Sequence, residues 1–170
     1  MKSATCLGFV FMIAVIVVWY ALAHVSKTSA PHASAINFGS NLTYSVAQVQ
    51  DLIRTYPAEA ARYVYPGLFP LDLMLLTCLG ATIALFSIGL GATADAPAGL
   101  WMLLILPVAY MLADLSENFL LAWLLTSQPD AIHNGQVTLT QSMTLLKLLF
   151  WLGGTLQVLW LFWAYCRASH

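Results

Sequence analysis

ATCLGFVFMIAVIVVWYALA, residues 4–23, passes through the first apolar block of the chain without one charged side chain. An α-helix needs about 20 mostly apolar residues to cross a ~30 Å hydrocarbon core, and this block meets that length unaided. Three further blocks do the same, at about residues 68–90, 98–126 and 143–165. Helices satisfy every backbone donor internally, so the spacing predicts an all-α, single-domain integral membrane bundle of four transmembrane helices over residues 1–170. Trp19 and Tyr20 near the end of the first span, Trp101 and Trp123 on the third, and Trp160, Trp163 and Tyr165 on the fourth suit aromatic anchoring at the membrane interface.

Composition agrees with this reading. Hydrophobic residues make up 61% of the chain and charged residues 8%, more apolar surface than a soluble core of this size hides. The formal net charge is -1 and the basic residues are scattered, which excludes a nucleic-acid partner and leaves membrane lipids, with other membrane chains, as the expected partners. Cys6, Cys78 and Cys166 are far apart and read as small packing residues. Lys2 ahead of an apolar run that ends in Ala21-Leu22-Ala23 also has the form of a cleaved signal peptide, but the run is longer than a usual signal core, and Trp19 and Tyr20 favour a retained helix.

Residues 24–67 are too many for a plain connection. The Ser-, Ala- and Asn-rich part, 24–41, reads as irregular. Beyond it Val46, Val49, Leu52 and Ile53 share one helical face, Ser45 is an N-cap, and Pro57 starts a second short helix over 57–64. The expected object is an amphipathic helical loop between spans 1 and 2, a lid on the bilayer with Tyr44, Tyr56, Tyr63 and Tyr65 at headgroup level. Asn41-Leu42-Thr43 is formally a glycosylation sequon. Lys27, Arg54 and Arg62 in this loop outnumber Lys2 and Arg167 on the other side, yet Lys2 before an export-like first helix favours cytoplasmic termini, in a bacterial inner membrane.

Asp72, Asp114, Glu117, Asn118 and Lys147 fall within the spans, where a charge costs about 2.5–3.5 kcal/mol on insertion scales. Asp114, Glu117 and Asn118 are spaced i, i+3 and i+4, so they form one patch on the third helix. Asp72 and Lys147 enter the membrane from the same side, so three segments bring charge to one layer beneath the loop. Arg62, Tyr63 and Tyr65 are the loop residues placed to join them. Lys147 is expected to pair with Glu117 or Asp114, and replacing it by Met to cost stability only modestly. As structural glue the cluster explains one acid per base, but three acids exceed one lysine, and that surplus argues for function.

No His lies inside an expected span: His24, His32, His133 and His170 sit in loops or at ends. Di-iron and bis-His haem sites therefore lack their ligands, no metal is expected, and nothing calls for a quinone or another cofactor. Gly80 and Gly153-Gly154 allow close helix approach. Apart from the loop-side layer, the spans read as dry.

Arg62-Tyr63, Phe69-Pro70-Leu71-Asp72, Pro107, Asp114-Leu115-Ser116-Glu117-Asn118 and the lysine in the last span together resemble an uncharacterised group of bacterial four-span membrane proteins with a D-x-x-E-N motif in the third span. The resemblance implies the same four-helix layout and no established activity. The chain reads as a binding or accessory component of a membrane assembly. The rival is a membrane enzyme doing acid and base chemistry on a lipid or terpenoid with the buried carboxylates.

Overall fold

The four apolar runs become helices, and three of them outrun the spans expected from hydropathy. In the computed structural model, which describes residues 2–92 and 99–168, the elements are α1 (Lys2–Ser29), α2 (Pro31–Ile36), α3 (Val46–Thr55), α4 (Pro57–Arg62), α5 (Leu73–Gly91), α6 (Ile105–Thr126) and α7 (Asn134–Ala168). No strand occurs among the described residues. Among the described residues, four segments are long and apolar enough to cross a membrane: Ala4–Ser29, Pro57–Gly91, Trp101–Thr126 and Asn134–Arg167. Residue 98, the expected start of the third span, and His170 lie outside the described residues.

Residues 24–41 are mostly helical, contrary to the irregular stretch expected. Nothing between Ala23 and Ser29 breaks a helix, and the hydroxyls that compete with helix are absorbed by it: Thr28 Oγ1 donates to His24 O at 2.8 Å and Ser29 Oγ to Val25 O at 2.5 Å. His24 is thus on α1 rather than in a loop. The chain turns only at Pro31, in the first turn of α2, and α2 stops at Asn37, whose φ of 56° is the left-handed conformation suited to a helix end.

Residues 45–64 are mostly helical, as expected. Ser45 caps α3 in a reciprocal box: its side chain accepts from Gln48 N at 3.3 Å, and Gln48 Oε1 accepts from Ser45 N at 2.8 Å. Ser45→Ala is expected to remove about 1 kcal/mol, read as a matching fall in the unfolding free energy with faster amide exchange confined to the first turn of α3.

Between α4 and α5 the chain stays wound over Tyr63–Asp72 but leaves helical dihedrals at Tyr65 and Phe69. Each precedes a proline, whose ring disfavours the helical conformation of the residue before it. The second span therefore enters the bundle through a broken segment.

α2, α3 and α4 form a roof with a core of its own. Phe38, Tyr44, Val49, Leu52 and Ala60 pack there with Leu121, Leu124 and Leu125 from the end of α6 and with Ile132 and Val137. The four tyrosines do not share one exposed face: Tyr44 is buried, Tyr56 and Tyr63 are partly buried, and Tyr65 alone of the four is exposed. Burial, with the Glu117 charge behind it, pushes the Tyr44 hydroxyl above the usual tyrosine range. His32 ties α2 to α4 through Glu59, its backbone N–H donating at 2.8 Å and its Nδ1 lying 2.9 Å from the other carboxylate oxygen. Arg54 pairs with Asp130 across to the connection before α7.

α7 begins nine residues before the expected start of the fourth span. Its 35 residues extend ~52 Å, well beyond a ~30 Å hydrocarbon core, so its first turns rise into the roof. Gln141 Nε2 there donates to Tyr44 O at 2.7 Å.

Within the bundle α1 packs along α5, and α7 packs along α6 and against α5. Gly80 meets Met111 of α6, and a Cβ on Gly154 would lie 3.0 Å from Ile83 Cγ2 of α5, so these glycines serve contacts inside the chain. The layer away from the roof is not dry: Gln157 Nε2 donates at 2.8 Å both to Ser87 Oγ and to Leu103 O.

Candidate functional site

The i, i+3, i+4 spacing on α6 turns Asp114, Glu117 and Asn118 to one side, and all three are buried. Lys147 reaches this face from α7. Its Nζ lies 2.5 Å from Glu117 Oε2 and 3.2 Å from Asp114 Oδ1, so one ammonium serves two carboxylates. Neither oxygen has another hydrogen-bond partner among the described residues. The other two oxygens are met by hydroxyls, Tyr110 donating to Asp114 Oδ2 at 3.0 Å and Thr144 to Glu117 Oε1 at 2.8 Å.

Asp72 arrives on the broken segment ahead of α5. Asn118 Nδ2 donates to its Oδ2 at 2.7 Å, which joins α5 to α6. Its Oδ1 has no hydrogen bond among the described residues. The site thus holds two satisfied acids around Lys147 and a third, Asp72, that is only half satisfied.

All five residues line one partly open cavity of about 550 Å³. Its ceiling comes from the roof and from the turn after α2, where a Cβ on Gly39 would lie 3.8 Å from Lys147 Nζ. Its sides are apolar: Trp19, Leu22 and Ala23 on α1, Leu75 and Leu79 on α5, and Leu148 and Trp151 on α7. α1 and α7 share no packed seam comparable to those each makes with α5, and Trp19 and Trp151 are both exposed on these two helices. No group of three or more His, Cys, Asp or Glu is arranged to hold a metal among the described residues.

Of the loop residues expected at the site, only Tyr63 lines the cavity; Arg62 and Tyr65 are exposed elsewhere. Three contributors went unrecognised in the sequence. Tyr110 and Thr144 could have been found, since they lie four residues before Asp114 and three before Lys147, one turn away on the same helix faces. Lys27, on the last turn of α1, lines the cavity, is exposed and has no ion pair among the described residues. Only the unforeseen continuation of α1 carries it there.

Fold and site together define an integral membrane protein of four helical spans, with a charged, partly open cavity beneath a helical roof. No protein-family model, curated protein or solved structure matches the chain.

Proposed function

We propose that this protein is a membrane-embedded binding protein that takes the polar head of an amphipathic ligand into the cavity beneath the roof, while the ligand's apolar part stays against the spans. The cavity itself carries the reading. Its volume of about 550 Å³ falls in the range of about 300–1,000 Å³ typical of ligand sites. A cluster serving only as glue would close upon itself, whereas this one walls open space that also borders apolar side chains. The unpacked seam between α1 and α7 is the route in from lipid.

In this reading the protein works as a binding or accessory component of a membrane assembly in a bacterial inner membrane, with cytoplasmic termini. The enzyme reading draws on one feature, the unengaged Asp72 oxygen, the carboxylate atom free to exchange a proton with a ligand.

Ala23 is partly exposed on α1 and lines the cavity one turn before Lys27, so Ala23→Trp adds bulk to the cavity wall without removing a charge. Native mass spectrometry of protein extracted with its own lipids is expected to find an amphiphile on the wild type and to lose most of it from Ala23→Trp, with thermal unfolding unchanged. Equal retention by both proteins overturns the binding reading. Conversion of the bound amphiphile into a second species selects the enzyme instead.

A further inference from the structure

We infer that the ligand's head carries a primary ammonium beside a phosphate, as an aminophospholipid of the bilayer does, with the ammonium seated on Asp72 and the phosphate on Lys27. This rests on the cavity being a binding site. Around it Asp72, Asp114 and Glu117 face a single buried cation, Lys147, and both carboxylates nearest that cation are already committed to it. An anionic head entering alone meets a surplus of negative charge, and a neutral one leaves the surplus in place. A cation removes it.

The chemistry of the acceptor narrows the cation further. Asp72 offers an oxygen with an unused hydrogen-bonding capacity in a partly buried position. A primary ammonium has three N–H donors to meet such an acceptor, whereas a quaternary ammonium has none and binds best inside a cage of aromatic faces. Of the aromatic side chains that line the cavity, Tyr110 is engaged with Asp114, and Trp19 and Trp151 are exposed on the flank where acyl chains run. Lys27 supplies the positive pole for a phosphate, so the cavity matches a zwitterionic head with its amine inward.

Native mass spectrometry of the purified full chain, titrated with phosphatidylethanolamine, phosphatidylcholine and phosphatidylglycerol of matched acyl chains, tests this. The wild type is expected to hold phosphatidylethanolamine about tenfold more tightly than the other two, a difference of one charge-assisted hydrogen bond. Asp72→Asn is expected to lose that preference and Asp72→Glu to keep part of it. A mutation-free arm uses N-methylated phosphatidylethanolamines, whose binding is expected to weaken as N–H donors are removed. Free ethanolamine is expected to displace the lipid poorly. Equal binding of the three lipids, a preference untouched by N-methylation, or a preference surviving in folded Asp72→Asn overturns the headgroup assignment and leaves the cavity reading standing. Displacement by ethanolamine as efficient as by the lipid overturns the lipid source. Lipid adducts as abundant on Ala23→Trp as on the wild type overturn both readings.

Discussion

Lys147→Met is expected to lower the unfolding free energy by about 3–5 kcal/mol, the usual loss when one partner of a buried ion pair is removed. The sequence by itself suggested a modest cost, on the view that the stranded acids could relieve their own repulsion. The geometry argues otherwise. Asp114 Oδ1 and Glu117 Oε2 have no hydrogen-bond partner apart from the ammonium, and both are shut away from water, so the mutation strands two carboxylate oxygens at once. Glu117→Leu is expected to be milder, because Asp114 still holds Lys147 at 3.2 Å and the Thr144 hydroxyl also lies within reach of Thr140 O. Unfolding of the two single variants and the double variant in detergent should give a coupling of about 0.5–3 kcal/mol between positions 117 and 147. A coupling near zero there, repeated between 114 and 147, would remove the shared-ammonium account.

Phe38→Ala is the second large effect, also about 3–5 kcal/mol, because deleting a fully buried aromatic leaves a cavity as well as losing its transfer free energy. Phe38 meets Tyr44 and Tyr63 edge-on, with ring centroids at 4.9 and 5.5 Å. Tyr63 is in turn a cavity wall, so the damage passes from the roof core to the site. Amide exchange over residues 31–64 should accelerate, and on the proposed binding reading the retained amphiphile should be lost. The helical circular dichroism of the spans should not change, since α1 and α5 to α7 are held by contacts among themselves. Unaltered exchange in the roof would show that its core does not hold the ceiling in place.

Much of this molecule is legible in its sequence because the lipid constraint is severe. A run such as residues 4–23 has no stable alternative to a helix across the bilayer, and Asp114, Glu117 and Asn118 at helical spacing must share a face whatever surrounds them. The Ser45 cap and the proline start of α4 are equally local, since a cap or a fixed φ acts within one turn.

What only the tertiary structure decided depends on contacts between segments distant in the chain. Hydropathy marks where a helix is apolar, not where it stops, so it missed α1 running on to Ser29 and α7 starting at Asn134. Those extensions bring Lys27 to the cavity and Gln141 to Tyr44. Charge counting identified a surplus acid, but that Asp72 is the half-satisfied one follows from Asn118 reaching it across 46 residues while Lys147 takes the other two acids. The tyrosines of the loop, read as headgroup anchors from their type alone, largely became roof core because α6 and α7 supply the apolar surface that covers them. Periodicity and burial cost are properties of one helix in a solvent, whereas a cavity is the space that several helices leave between them.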